Sequence, residues 1–139
     1  MTKLEKYDLQ KLESYWRDLN QLKKELKFRE WELLEPYREQ DTNIGGGKAN
    51  TISDTTAIKA MLLAEDKKYN STKEIITTVE DIYAILDDDR KTIVQMRYWD
   101  KNNCYEWEDI ADQLHMSRYR VLRLRNTIID ETARRLAWV

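Results

Sequence analysis

The residues that interrupt helices are confined to one short part of this chain. Its three glycines are adjacent, at positions 45–47, and its only proline is Pro36. Because glycine and proline are the poorest helix formers, the sequence predicts long helices on both sides of a flexible connection at about residues 37–53. No segment of the 139 residues alternates apolar and polar side chains as a half-buried strand does. An all-α fold is therefore predicted.

Apolar residues recur every seven positions on each side of this connection. The first series consists of Leu12, Leu19, Leu26 and Leu33. The second series consists of Leu62, Tyr69, Ile76 and Tyr83. They predict one helix over about residues 2–34 and another over about residues 54–86, the second bent near residues 70–71. Because such stripes need a partner, residues 1–86 are predicted to form a long helical hairpin. The alternative is self-association, in which these helices pair between copies of the chain.

Residues 87–139 are predicted to form a second domain. Three consecutive aspartates at 87–89 suit the N-terminus of a helix, where the helix dipole is positive. Two shorter helices are expected at about residues 106–114 and 117–136, with Ser117 as the N-cap of the second. Two short helices joined by a tight turn are typical of a helix-turn-helix.

The second of these helices is basic. It carries Arg118, Arg120, Arg123 and Arg125, and no Asp or Glu lies between positions 113 and 129. The whole chain has a formal net charge of −2. A local basic segment on an acidic protein is the electrostatic pattern of a surface that binds phosphates. The alternative is a solvated surface helix whose arginine stems cover apolar groups.

The periodicity of this helix separates an inner face from an outer face. Val121, Leu124 and Ile128 have the spacing of the inner face. On the outer face, arginine can form bidentate hydrogen bonds with guanine and asparagine with adenine, while flanking groups can contact phosphates. The predicted DNA-binding residues are Arg118, Tyr119, Arg123 and Asn126 at the groove, and Ser117, Arg120 and Arg125 at phosphates.

The chain offers little for catalysis or metal binding. His115 and Cys104 are its only histidine and cysteine, so we expect no Ser-His or Cys-His catalytic pair and no zinc site. The GGGKAN segment fails the phosphate-loop pattern, because Thr42 and Ala49 stand where Gly and Ser or Thr are required. We expect no enzyme, no cofactor and no metal. We interpret this segment as a hinge, or alternatively as a DNA-backbone contact through Lys48.

The sequence also lacks the patterns of membrane proteins. It has no run of about 18 apolar residues, and its first ten residues, MTKLEKYDLQ, lack the apolar centre of a signal peptide. A cytoplasmic protein with no membrane contact is therefore expected.

Two resemblances to known families follow from these motifs. The segments DDDRKTIVQMRYW and WEDIADQLHMSRYRVLRLRN, within residues 87–136, resemble region four of sigma factors, the part that reads promoters. Glu106 stands where that region often has a Ser or Thr cap. Nearly the whole chain resembles the RinA family of phage transcriptional activators, through TKLEKYDLQKLESYW, EPYREQDTNIGGGKAN and the helix that follows the three aspartates.

The second resemblance implies a function. It implies a sequence-specific activator of late phage genes, which encode packaging and structural proteins. Its partners would be double-stranded promoter DNA and the RNA polymerase of the bacterial host, in the host cytoplasm. The N-terminal helices lack the aromatic and basic pattern of a complete sigma factor. The alternative is a small-terminase-like DNA-packaging subunit, which also combines a helix-turn-helix with oligomerising helices.

Overall fold

The computed structural model describes residues 4–42 and 49–139, with side chains described for 4–36 and 55–139. These residues contain no strand, in agreement with the predicted all-α fold. The helices are α1 Lys6–Arg17, α2 Leu19–Thr42, α3 Ala49–Glu65, α4 Lys67–Ile85, α5 Asp88–Val94, α6 Trp107–Leu114 and α7 Arg118–Arg135. Directly after α5, the chain continues as a short π-helical segment over Gln95–Trp99. No described helix is long and apolar enough to cross a lipid bilayer.

The chain divides into two compact units. The terminal unit consists of Met1–Leu19 and Ile75–Val139, and the middle unit consists of Asn20–Glu74. This division differs from the boundary expected between residues 86 and 87. It places α1 and the last part of α4 with the C-terminal helices.

The core of the terminal unit explains why α1 belongs to it. Leu12 and Trp16 on α1 are fully buried, and the Trp16 indole N–H donates to Oγ1 of Thr132 on α7 at 3.0 Å. Burying a large apolar side chain stabilises a fold by about 1.5–3 kcal/mol. Among the residues whose side chains are described, the other apolar ones that are at most 1% exposed are Val79, Ile82, Ile93, Val94, Ile110, Val121, Ile128, Ile129 and Ala133.

The helix predicted over residues 2–34 is divided in the structure. The backbone of Asp18 (φ −102°, ψ 22°) leaves the α-helical region and separates α1 from α2. Leu12 and Leu19 are buried in the terminal unit, whereas Leu26 and Leu33 lie in the middle unit and are half-buried. The seven-residue series is therefore shared between two units and does not form one continuous stripe.

The second long segment also breaks, but at Asp66 and not near residues 70–71. The Asp66 carboxylate accepts the Tyr69 backbone N–H at 2.7 Å and so caps the start of α4. Asn70 stabilises the break, because its side-chain amide donates to the carbonyls of Leu63 (3.2 Å) and Ala64 (2.8 Å). A local cap thus decides where this segment bends.

One ion pair joins α2 to this break within the middle unit. The Arg29 guanidinium donates to both Asp66 oxygens, from Nε at 3.0 Å and from Nη2 at 2.6 Å. These hydrogen bonds hold the pKa of Asp66 below its ordinary value. The contact is the kind expected of a chain that folds back on itself as a hairpin.

The connection between the two helical segments is shorter than predicted. Pro36 lies inside α2, which continues to Thr42, and α3 begins at Ala49. A helix can pass through a proline at the loss of one backbone hydrogen bond. The glycines at 45–47 and Lys48 lie outside the described residues, as does any role of that segment.

Candidate nucleic-acid interface

The predicted helix-turn-helix is formed by α6 and α7, close to the predicted bounds. Glu106 begins α6 in place of a Ser or Thr cap, and its backbone N–H donates to Oδ2 of Asp109 at 2.8 Å in a capping box. Glu108 and Asp109 also place negative charge in the first turn, where the helix dipole favours it. The departure from the sigma-factor pattern at Glu106 therefore does not prevent a well-formed helix start.

The turn between the helices is made by His115. Its backbone is left-handed (φ 55°, ψ 44°), and the Met116 N–H donates to the Ala111 carbonyl at 3.0 Å. This is the usual way to end a helix, although glycine more often occupies the left-handed position. The sharp reversal directs the chain into α7 after only three residues.

The cap predicted at Ser117 is present. The Ser117 hydroxyl accepts the Arg120 backbone N–H at 3.1 Å, which satisfies one of the unpaired donors of the first turn of α7. The inner face is as expected for Val121 and Ile128, which are buried, while Leu124 is half-buried. Ala111 on α6 is 5% exposed and packs in the same cluster as Val121, where its small side chain allows the helices to approach.

Six of the seven predicted DNA-binding residues are exposed. Tyr119 is 69% exposed, and the Arg123 guanidinium lies over its ring at 5.8 Å from the centroid. The Arg118 Nε donates to the Glu108 carboxylate at 2.8 Å in a pair whose side chains are both more than half exposed. Such pairs contribute little to stability and exchange readily with another anion. The exposed set is Ser117, Arg118, Tyr119, Arg120, Arg123 and Asn126.

Arg125 does not lie at the edge of the candidate DNA-binding face of α7, where a phosphate contact was predicted for it. Its side chain is 12% exposed, and its Nη1 donates to Oε2 of Glu13 on α1 at 3.1 Å. Its guanidinium also lies over the Trp107 ring, 5.1 Å from the centroid. Position 125 is four residues after Val121 and three before Ile128, so it falls on the buried stripe of α7. The expected phosphate contact is therefore corrected to a contact that holds α7 on α1.

Glu13 and Tyr98 also belong to this contact, and neither of them was identified from the sequence. Tyr98 donates its hydroxyl to Oε2 of Glu13 at 2.5 Å, so Glu13 receives both Tyr98 and Arg125. Burial, and secondly the charge of Glu13, raise the pKa of Tyr98 above its ordinary value. Its hydroxyl consequently stays protonated and continues to donate. Only the periodicity of α7, which places Arg125 inward, could have indicated that a buried acid was needed.

The comparison with known families covers nearly all of these elements. A family model described as "Protein of unknown function (DUF722)" matches residues 8–134. The chain belongs to this family. The DUF722 match includes Glu13 and Tyr98 as well as the whole helix-turn-helix up to the last turn of α7. No curated protein and no solved structure gives a significant match.

Proposed function

We propose that this chain is a sequence-specific binding protein for double-stranded DNA, with α7 as its recognition helix. The observation that supports the proposal is the exposed face of α7, where two arginines, a tyrosine and an asparagine face solvent beside a Ser-capped N-terminus. An α-helix fits the major groove, and its first turns contact base edges in helix-turn-helix proteins. Those residues are Arg118, Tyr119, Arg123 and Asn126.

The remaining exposed groups have the chemistry of backbone contacts. Ser117 and the first N–H groups of α7 can receive a phosphate at the positive end of the helix dipole. Arg120 is exposed and has no carboxylate partner among the described residues. Phosphate contacts fix the register of the helix, and base contacts select the sequence.

The resemblance to RinA-family proteins extends the proposal to a biological role. The chain activates late phage genes, for packaging and structural proteins, by binding their promoter DNA and contacting the host RNA polymerase in the bacterial cytoplasm. The support for this part is the resemblance in sequence alone, of nearly the whole chain to the RinA family and of residues 87–136 to region four of sigma factors.

Enrichment of random duplexes followed by fluorescence anisotropy tests the DNA-binding proposal. The full chain should select a defined site and bind it more tightly than a scrambled duplex. The double variant Arg118→Ala/Arg123→Ala should lose this preference while keeping its helicity. Arg134→Ala is the matched control, because Arg134 is exposed on α7 but pairs with Glu131 at the far end of the helix. Absence of any enriched site, or equal binding by the double variant, would contradict the proposal.

A second candidate function, a DNA-packaging subunit, is favoured by one feature of the middle unit. Phe28 and Met61 are 59% and 58% exposed, and Phe28 stacks on the partly exposed Trp31 with ring centroids 5.8 Å apart. Exposed apolar groups of this size favour self-association. Sedimentation equilibrium separates the candidates, because a ring of many copies supports packaging. Promoter-dependent transcription by a small assembly supports the activator.

A further inference from the structure

An open depression lies beside the exposed face of α7, between α7 and α5. Its volume is about 400 Å³. Among the described residues, those that line it include three arginines and no acid. The lining residues are Arg90, Tyr119, Arg120, Arg123, Leu124 and Thr127.

Arg90 is the member that comes from outside the helix-turn-helix, and it is held in place. Its Nε donates to the Thr127 hydroxyl at 2.8 Å, and its Nη1 donates to the Asp87 carboxylate at 2.5 Å. Thr127 in turn donates its hydroxyl to the Leu124 carbonyl at 2.6 Å, so the hydroxyl has only acceptor capacity left for Arg90. The guanidinium has more N–H donors than these two contacts use. It is therefore a cation held in a fixed position, with N–H donors left for a ligand.

Arg90 and Arg120 bring positive charge to the depression from two different helices. Asp87 offsets part of the charge of Arg90, but Asp87 is not among the residues that line the depression. Arginine forks bind phosphate oxygens in pairs, and fixed donors lose less entropy on binding than mobile ones. The site thus has the donors and charge that one phosphate group requires.

We propose that this depression holds one backbone phosphate of bound DNA, with Arg90 and Arg120 as its ligands. The inference rests on the proposed DNA-binding function and adds a contact from α5, outside the recognition helix. A phosphate held between α5 and α7 fixes the angle at which α7 meets the groove. Arg90 therefore contributes equally to the binding of every DNA sequence, because it positions α7 without contacting a base.

Binding measured against salt tests this assignment without knowledge of the preferred site. The full chain and its variants are titrated into a random-sequence duplex and into the enriched duplex, from about 50 to 200 mM salt. Arg90→Gln should weaken binding to both duplexes by about tenfold. The plot of log K against log salt has a negative slope, and this variant should reduce the magnitude of that slope by about 1. Arg90→Lys should keep the slope and recover only part of the affinity, because it retains the charge and loses the fork.

Two further variants complete the test, the first as a matched control and the second as a test of how Arg90 is held. Lys91→Gln removes the same charge from the next position of α5, where the Lys91 ammonium lies over the Tyr83 ring and outside the depression. It should leave affinity and slope close to those of the native chain. Thr127→Val removes the acceptor that holds Arg90 without a change of charge, and it should weaken binding with the slope retained. If Arg90→Gln melts at a lower temperature than the native chain, the proposal is tested with Arg90→Lys and Thr127→Val instead.

The outcomes distinguish this inference from the function on which it rests. Native affinity and slope in Arg90→Gln, with normal binding by the native chain, overturn the phosphate site and leave the DNA-binding proposal standing. A loss confined to the enriched duplex also overturns it, because it would show that Arg90 reads a base. No binding of any duplex by the native chain refutes both.

Discussion

Arg125 on α7 donates to the carboxylate of Glu13 on α1, 112 positions earlier in the chain, at a distance of 3.1 Å. Both side chains are 12% exposed. The helix that we propose to read DNA is thus held by a contact with α1. The position of α7 in the fold depends on its contact with α1 as well as on its packing with α6.

Loss of Glu13 should destabilise the terminal unit. Glu13→Ala leaves Arg125 and the Tyr98 hydroxyl without their acceptor in a mostly buried site. We expect the free energy of unfolding to fall by about 3 kcal/mol in urea titrations. Glu108→Ala, which removes an exposed partner of Arg118, should cost less than about 1 kcal/mol. A Glu13→Ala variant as stable as the Glu108→Ala control would contradict the structural role of this pair.

The left-handed turn at His115 should tolerate some residues and reject others. A β-branched side chain is strained at φ 55°, so His115→Val should lower the unfolding free energy by about 1–2 kcal/mol. His115→Gly and His115→Asn should stay close to the native value, since both residues adopt this conformation. Thermal unfolding followed by circular dichroism gives the comparison. Equal stability of the Val and Gly variants would show that the turn is not left-handed in solution.

Arg123 and Arg120 should differ in how their loss affects DNA binding. If Arg123 reads a base, Arg123→Ala weakens binding to the enriched site by about 1–3 kcal/mol and changes binding to scrambled DNA much less. Arg120→Ala should weaken binding to both duplexes to the same extent. Anisotropy titrations of the two variants on both duplexes measure this difference. A uniform loss in Arg123→Ala would assign it to the phosphates instead.

The C-terminal end of α7 should make a pH-dependent contribution to stability. Hydrogen bonds from Arg134 first, and then from Arg135, lower the pKa of Glu131 from 4.5 to about 2. A lowered pKa in the folded state means that the contribution is complete above about pH 4.5 and is lost as the pH falls toward 2. Glu131→Gln should therefore lose less stability than the native chain on acidification over this range. A carboxyl titration by NMR with its midpoint near 4.5 would refute the prediction.

Several features could be predicted because they depend on residues close together in the chain. Ser117 caps α7 through a backbone N–H three residues away, and Asp87 caps α5 in the same way. The buried positions of Val121 and Ile128 follow from helical spacing, as does the exposure of Arg123. Capping and periodicity act within one or two turns of a helix, so a linear sequence contains all the information that they need.

Other features could not be predicted because they depend on residues far apart. The seven-residue leucine series indicated one helix, but Leu12 is buried in the terminal unit and Leu26 lies in the middle unit. The ion pair of Asp66 with Arg29 joins residues 37 positions apart, so no pattern within one helix indicates it. Periodicity records which side chains are apolar but not which partner covers them.

The sequence by itself determined the helical class, the two helices and turn of the candidate DNA-binding motif, and the basic outer face of α7. Tertiary structure alone decided that α1 packs with α7, that Glu13 is the acid that pairs with Arg125, and that Arg90 lies beside Arg120. The physical reason is the range of the interactions. Helix formation is governed by neighbours within a few residues, whereas burial, ion pairing and shared charge depend on which distant segments meet in the folded chain.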